Sequence, residues 1–195
     1  ILTALALVLG LGVACDTGEM TEPEVVTARA ATSMPGSVTV AEAVDLAVVV
    51  ERHGAAAAGE VVTWAVDSGG GTVSSGTSTT DGSGMARTTW TLGTTAGESN
   101  RVTARVDDAE SDVEFTAVPA PGPVSELAVT PAAVELTALE DTARLEATAV
   151  DGWGNPAGEM SWSTTGGVVS VTDGAVVAMT EGTASVVVAV GSLED

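Results

Sequence analysis

The stretch AGEVVTWAVDSGGGTVS, residues 58–74, returns later in the same chain as AGEMSWSTTGGVVS, residues 157–170. The two copies are separated by 99 residues at the shared AGE motif and by 98 residues at the shared tryptophan, Trp64 and Trp162. A repeat of about 100 residues has the length of one β-sandwich domain and is far longer than the unit of a solenoid protein. The chain of 195 residues is therefore predicted to hold two related domains in tandem.

Apolar and polar residues alternate on both sides of this stretch, which is typical of β-strands with one buried face. Val and Thr are abundant, glycine-rich breaks recur, and no helical periodicity persists. The residues predicted to face the cores are Val44, Leu46, Val48 and Val50 in the first copy and Leu145, Ala147 and Ala149 in the second. The predicted fold class is all-β, with two tandem immunoglobulin-like Greek-key β-sandwiches.

The first copy, residues 24–118, is predicted to contain seven strands, as in an immunoglobulin-like sandwich. These strands are expected at residues 25–30, 37–40, 44–51, 61–67, 85–92, 101–106 and 113–118. Trp64 is expected between the two sheets, and Trp162 in the same place in the second copy, so that both anchor a core. Residues 119–123, PAPGP, are predicted to be a semi-rigid linker, because proline fixes φ and donates no hydrogen bond.

The second copy, residues 124–195, is expected to lack its closing strand. Residues 184–190 correspond to the strand at 101–106 of the first copy, and residues 191–195 are then expected to form the turn that follows it. The strand at 184–190 would be an unpaired edge. Such an edge favours strand addition or aggregation.

The N-terminal sequence ILTALALVLGLGV, residues 1–13, has the apolar core of a secretory signal. It is shorter than the about 20 residues of a membrane-spanning helix. Cys15 follows directly, and the polar residues 16–23 are interpreted as a tether. This order resembles a bacterial lipoprotein signal, which implies lipidation of Cys15, secretion across the inner membrane, and a location in the cell envelope or on the outer surface. The alternatives are an ordinary secretory signal with an incidental cysteine, or the tail of a membrane anchor.

The start of the sequence carries a second expectation. Neither an initiator methionine nor a positively charged stretch precedes Ile1, so the chain is expected to begin inside its signal.

Composition excludes several functional classes. With 6 Arg or Lys against 27 Asp or Glu, the net charge is −21, so the chain would repel the phosphates of nucleic acids and of anionic lipids. The single Cys excludes an intrachain disulfide, a CxxC redox pair and a cysteine-rich zinc site. We therefore expect no nucleic-acid partner, and a membrane contact only through the lipid anchor.

The first copy also carries several short motifs in a characteristic order. They are VVTW at 61–64, GGG at 69–71, TDGSGMA at 80–86, WTLG at 90–93, NRVTA at 100–104 and FTA at 115–117. Together they resemble the bacterial immunoglobulin-like domain of the invasin and intimin type (group 1). In the second copy, LAVTP at 127–131 and SWST at 161–164 are more similar to the group 2 version of the fold.

One turn distinguishes the copies. The Asp-x-x-Gly-Asn-Pro turn that is frequent in the group 1 family is present in the second copy as DGWGNP, residues 151–156, and is replaced by ERHGAA, residues 51–56, in the first. The family resemblance implies that the domains are stalks or adhesive modules on a bacterial surface and carry no catalysis.

Few residues are candidates for chemistry. His53, the single histidine, is predicted in an exposed loop, and no Gly-x-Ser-x-Gly elbow is present to supply a nucleophile. The glycines at 69–71 lack a following Lys and precede no helix, so they are interpreted as a tight chain reversal and not as a phosphate-binding loop. We predict no catalytic and no cofactor-binding residue.

An acidic hairpin and an aromatic turn remain as candidate binding sites. Carboxylates at Asp107, Asp108, Glu110 and Asp112 could gather ligands for Ca²⁺, although their spacing is not that of an EF-hand and a solvated hairpin tip is the alternative. Asp151 and Asn155 could also bind a cation, or simply form a turn. Trp153 is either a surface aromatic that contacts a sugar or protein, or a side chain folded over the end of its own domain.

These observations leave three interpretations of function. The first is a non-catalytic, lipid-anchored surface protein whose tandem domains act as spacer or adhesin toward an unidentified surface protein or glycan. The second is a pair of accessory modules of a larger secreted carbohydrate-active enzyme, and the third is a carbohydrate-binding module.

Overall fold

The computed structural model describes residues 25–191 and the backbone of Leu193 and Glu194. All regular secondary structure in this part of the chain is β-strand, which confirms the all-β prediction. Within these residues no helix is long and apolar enough to cross a membrane. The predicted signal, the lipidation site Cys15 and the tether at 16–23 lie outside the described residues.

The first domain consists of two antiparallel sheets packed face to face. Its strands are β1 (Val26–Ala30), β2 (Ala43–Arg52), β3 (Ala55–Ala56), β4 (Val61–Ser68), β5 (Thr72–Val73), β6 (Thr77–Thr79), β7 (Met85–Thr91), β8 (Asn100–Val106) and β9 (Val113–Ala117). One sheet has the order β1-β2-β7-β5, with β3 beside β2, and the other has the order β6-β4-β8-β9. Consecutive strands are thus divided between the sheets, as in an immunoglobulin-like Greek-key sandwich.

One apolar core lies between these sheets. The predicted inward face of β2 is confirmed, since Val44, Leu46, Val48 and Val50 are all buried. Trp64 on β4 is 3% exposed, and its ring packs against that of Phe115 on β9 with a centroid distance of 6.2 Å. The Nε1 of Trp64 donates a 2.8 Å hydrogen bond to the Ser78 hydroxyl on β6. Trp64 therefore anchors this core as predicted.

Trp90 on β7 is a second anchor, which the sequence analysis did not identify. It is fully buried and packs in the same core cluster as Trp64. Its Nε1 has no hydrogen-bond partner among the described residues.

Six of the seven strands predicted for the first domain have observed bounds within one residue of the prediction. The seventh, at residues 37–40, is wrong. There the chain forms only a single bridge, in which the backbone N–H groups of Val40 and Ala120 donate to the carbonyls of Ala120 and Val38 at 2.9 and 2.8 Å. Val38 and Val40 are buried, which explains why the pattern indicated a strand.

The second domain repeats this arrangement with shorter strands. They are β10 (Val124–Thr130), β11 (Thr142–Arg144), β12 (Glu146–Asp151), β13 (Ser161–Thr164), β14 (Val169–Thr172), β15 (Ala175–Ala178), β16 (Val186–Val190) and β17 (Leu193–Glu194). β11 and β12 are parts of one strand interrupted at Leu145, and they pair with β15 and β10 respectively. The orders β10-β12/β11-β15-β14 and β13-β16-β17 correspond to those of the first domain, except that β6 has no counterpart among the described residues, and this correspondence confirms the tandem pair.

Trp162 does not anchor the second core as predicted. It lies on β13 opposite Val188 of β16, just as Trp64 lies opposite Ala104 of β8, but its side chain is only half-buried. Trp64 contacts Phe115 and the Ser78 hydroxyl of β6, whereas β13 pairs with β16 alone among the described strands. The buried apolar residues of this domain are Leu145, Ala149, Ala157, Val176, Ala178, Val188 and Val190.

The last strand differs from the expected turn at residues 191–195. Leu193 and Glu194 form β17 and pair antiparallel with Val190 and Ala189 of β16. Residues 186–188 of β16 pair with β13 on one side only, and within the described residues no strand lies along their other side.

Candidate functional site at the interdomain junction

The buried carboxylate of Asp151 is the centre of the most densely hydrogen-bonded site in the described chain. Asp151 ends β12 and is 2% exposed. Its Oδ1 accepts hydrogen bonds from the backbone N–H groups of Trp153 and Asn155, each at 2.9 Å. Its Oδ2 accepts from the N–H of Gly122 and from the Nδ2 of Asn155, again at 2.9 Å. Four N–H donors thus occupy the acceptor positions of the carboxylate, which leaves none for a cation.

These donors also determine the charge state of Asp151. Burial acts to raise its pKa, but the hydrogen bonds from the Asn155 side chain, from Gly122 and from the backbone of Asn155 and Trp153 act against it and prevail. The pKa of Asp151 is lowered from 3.8 to about 2. The group is therefore ionised at physiological pH.

Asn155 connects this carboxylate to the first domain. Its Nδ2 donates to the carbonyl of Thr94, and its Oδ1 accepts from the N–H of Ala96, both at 2.9 Å. The amide can adopt one orientation only, because a flipped amide would place its oxygen against both the Asp151 carboxylate and the Thr94 carbonyl. We refer to Asp151, Asn155, Gly122, Thr94 and Ala96 as the clasp.

The linker between the domains is fastened on both sides. The carbonyl of Pro119 accepts from the N–H of Gly97 at 2.9 Å, and Ala120 forms the bridge to Val38 and Val40 described above. Gly122, two residues later, is held by Asp151 of the second domain. Pro121 alone separates the attachment to one domain from the attachment to the other, and its ring fixes φ.

Trp153 lies in the turn that the clasp holds. Its side chain is 52% exposed, so one part of the indole faces solvent. Another part lies beside Gly122, where a Cβ would come within 3.2 Å of the ring atom Cζ3. One part of the ring thus lies against the linker and the rest is accessible, and contact of Trp153 with a sugar or protein stays a prediction.

The acidic hairpin does not form a convergent site. Asp107, Asp108, Glu110 and Asp112 are all exposed, and Asp112 pairs with Arg105 at 3.0 Å. In the part of the chain that the structure describes, no three His, Cys, Asp or Glu side chains are grouped so that they could hold a metal ion. Ca²⁺ binding at these residues stays a prediction.

The remaining candidates have structural roles. His53 is exposed in the turn between β2 and β3, with φ of 51°, and its N–H donates to the carbonyl of Val25 at 3.0 Å. Gly69 and Gly70 reverse the chain with φ of 83° and 73°, as predicted from the glycine run.

A shallow groove of about 490 Å³ opens between residues 134–139 and the β15–β16 region of the second domain. Its walls include Val134, Leu136, Val176 and Val186. The two ionisable residues among its lining are Glu135 and Glu181. The lining thus combines apolar side chains with several Thr residues and the two carboxylates.

The sequence does not predict the clasp as a junction. Asp151 and Asn155 are predicted as residues of a turn or a cation site, whereas in the structure they also bind backbone groups of Gly122, Thr94 and Ala96. The available signal was the contrast between DGWGNP in the second copy and ERHGAA in the first.

No family model matches the chain, and no curated protein sequence matches it. Among solved structures, it is similar to the D00-D0 domain of intimin, with 22% identity over 53% of this chain and 50% of that one and a TM-score of 0.41. It is similar to the D0-D1 domain of intimin, with 21% identity over 87% of this chain and 93% of that one and a TM-score of 0.39. It is also similar to InvD of Yersinia pseudotuberculosis, with 19% identity over 87% of this chain and 54% of that one and a TM-score of 0.45. The chain thus spans about half of the D00-D0 and InvD structures.

Proposed function

We propose that this chain is a non-catalytic surface module in which two immunoglobulin-like domains serve as spacer and adhesin, held to the cell envelope by a lipid on Cys15. The observation that carries the proposal is the use of the buried charge at Asp151. Its four donors connect the second domain to the linker and, through Asn155, to the first domain. The most densely hydrogen-bonded polar site of the described chain therefore joins the two domains.

The surface of the first domain supports the same proposal. Two of its ion pairs, Arg29–Glu51 and Arg101–Glu114, join neighbouring strands, and two others, Arg52–Glu60 and Arg105–Asp112, join a strand to a residue just before another strand. The excess of carboxylates gives the module a strongly negative surface, which favours solubility outside the cell and disfavours contact with anionic lipid headgroups.

The lipid anchor is tested by metabolic labelling in a bacterial host. Radiolabelled palmitate should enter the wild-type protein and should not enter the Cys15→Ser variant, which is expected in the soluble fraction with unchanged thermal stability. Wild-type protein that carries no label would reject the lipid anchor and leave the two alternatives, an ordinary secretory signal or the tail of a membrane anchor.

A glycan or protein ligand at Trp153 is the adhesive part of the proposal. An exposed indole next to a fixed turn provides a flat apolar face on which a sugar ring or an apolar side chain can stack. The test is a glycan array and a binding assay on intact host cells with wild-type protein and Trp153→Ala. Met179→Ala is the matched control, because Met179 is 56% exposed on the same domain and belongs neither to the clasp nor to the groove. Equal binding by all three proteins would exclude Trp153 as the contact.

The accessory-module alternative makes a different prediction about neighbouring coding sequence. Further repeats of about 100 residues would support the spacer, whereas an adjoining segment with paired catalytic carboxylates would support the larger carbohydrate-active enzyme.

A further inference from the structure

We infer that the clasp is a docking site through which the second domain recognises the backbone of the preceding domain, so that the two domains move as one body. The inference deepens the proposed spacer function, on which its biological use rests, but its geometry stands independently of that function. Tandem domains joined by short linkers are otherwise expected to move relative to each other, unless a specific interface holds them.

The two copies differ at the turn that carries the clasp. The chain also reverses at residues 51–56 of the first domain, where Gly54 has φ of 75° as Gly154 has φ of 85°. Glu51 and Ala55 stand there in place of Asp151 and Asn155, and Ala55 pairs with Arg52 within its own sheet. A chain reversal at this position therefore does not need the Asp–Asn pair, so that pair has a further role in the second domain.

The partners of Asn155 in the first domain are backbone groups of one loop. Asn155 contacts the carbonyl of Thr94 and the N–H of Ala96, which lie in the loop between β7 and β8 of the first domain. Because one planar amide both donates to and accepts from this loop, it fixes the orientation of the loop relative to Asn155 as well as the distance between them. Since both partners are backbone groups, the recognition requires the loop conformation and no particular side chain.

The linker has little conformational freedom of its own, because hydrogen bonds hold it to both domains. Ala120 is bonded to the first domain and Gly122 to the second, so rotation between the domains is restricted to the bonds around Pro121. Asp151 accepts from Gly122 and from Asn155 simultaneously, so the linker attachment and the loop attachment meet at one carboxylate. They use different donors, so loss of the Asn155 side chain leaves the bond from Gly122 in place, and the loop attachment can be tested by itself.

The experiment measures the distance between the domains in the whole chain. Spin labels are placed at Thr116→Cys on β9 and Ser170→Cys on β14, two exposed positions, in a Cys15→Ser background. Pulsed electron paramagnetic resonance should give one narrow distance distribution. Asn155→Ala should broaden this distance distribution. The variant loses the two hydrogen bonds to Thr94 and Ala96, and their net contribution corresponds to a roughly 30-fold rise in the ratio of molecules with separated domains to molecules with the clasp formed.

Asn155→Ala leaves the three backbone donors of Asp151 in place, so the turn itself should persist. A second variant, Ala96→Pro, removes the donor from the first domain without touching the second and should broaden the distribution in the same way. The matched control is Asp81→Ala. Asp81 accepts from the N–H groups of Ser83 and Met85 in a turn far from the junction, and its loss should leave the distance distribution unchanged.

A broad wild-type distribution, or equally narrow distributions for wild type, Asn155→Ala and Ala96→Pro, would overturn the inference. Either result would leave the anchor and ligand assays on Cys15 and Trp153 unaffected. Failure of those assays would in turn leave the distances unchanged, so the two proposals fail separately.

Discussion

The side-chain amide of Asn155 donates a 2.9 Å hydrogen bond to the buried carboxylate of Asp151. The same amide nitrogen faces the Thr94 carbonyl, so Nδ2 is surrounded by acceptors and must carry hydrogens. A residue of the same shape without those hydrogens would place like charges in contact, and this relationship provides a sensitive test of the junction.

Asn155→Asp should destabilise the second domain more than Asn155→Ala at neutral pH. The introduced carboxylate meets that of Asp151, and one of the two must take a proton or separate. The pKa of the introduced group is expected to be raised above its unfolded value, so the stability it contributes is present at acid pH and is lost as the pH rises. Thermal unfolding of both variants at neutral pH and at about pH 3.5 measures the effect. A constant gap between the two variants across this range would contradict it.

The low pKa of Asp151 predicts a second pH dependence, of opposite sign. Because the pKa is about 2 in the folded chain against 3.8 ordinarily, the contribution of this group is complete above the ordinary pKa and is lost as the pH falls through about 2. The difference in melting temperature between wild type and Asp151→Asn should therefore shrink across this window. The pKa of Asp81 is also lowered, by a hydrogen bond from the Ser83 side chain, and that of Asp141 by one from the Thr137 backbone. The comparison with the variant is needed to separate the effect of Asp151 from theirs. A difference independent of pH would show that the Asp151 carboxylate is not held as described.

Truncation of Trp64 should leave the first domain marginal. Its indole is buried against Phe115, and Trp64→Ala should cost about 3–5 kcal/mol of a total near 5–15 kcal/mol. Trp153→Ala is the matched control, since that indole is half-exposed and should cost little. Urea unfolding followed by circular dichroism measures both, and an equal effect of the two substitutions would refute the assigned role of Trp64.

Replacement by Phe should distinguish the two buried tryptophans. Trp64→Phe removes the hydrogen bond to Ser78, whereas Trp90→Phe removes an indole N–H that is buried and without a partner among the described residues. Both variants lose similar volume. We therefore expect Trp64→Phe to be the more destabilising by about 1–3 kcal/mol, measured as the difference in unfolding free energy. The reverse order would show that the Trp90 N–H has a partner in solution.

The sequence predicted the strands well wherever the signal was local. β2 was expected at residues 44–51 and runs from Ala43 to Arg52, because strict alternation identifies both the strand and its buried face. The same alternation misled at residues 37–40, where Val38 and Val40 are buried but the neighbour is the linker residue Ala120 and no strand forms. Burial is readable from the pattern, but the partner is not.

The junction could not be predicted for a related reason. Asp and Asn in a turn look the same whether they close that turn or reach another domain. Thr94 and Ala96 take part through backbone atoms, so the residue type at these positions does not indicate the contact. Trp162 was mispredicted because its burial depends on residues from other strands, and the motif around it is the same as that around Trp64.

The two domains should therefore differ in stability. In the described part of the second domain the buried apolar residues are Val, Ala and Leu145, whereas the first domain encloses Trp64, Trp90 and Phe115. Since stabilisation grows with the apolar area removed from water, unfolding should proceed in two steps, with the second domain first. Hydrogen exchange under native conditions should show faster exchange for the amides of β13 and β16 than for their counterparts β4 and β8. The matched control is Asn155→Ala, which should leave the protection of β4 and β8 unchanged because their bonds lie within the first domain. Equal protection of the two strand pairs would contradict the unequal cores and indicate that the domains unfold as one cooperative unit.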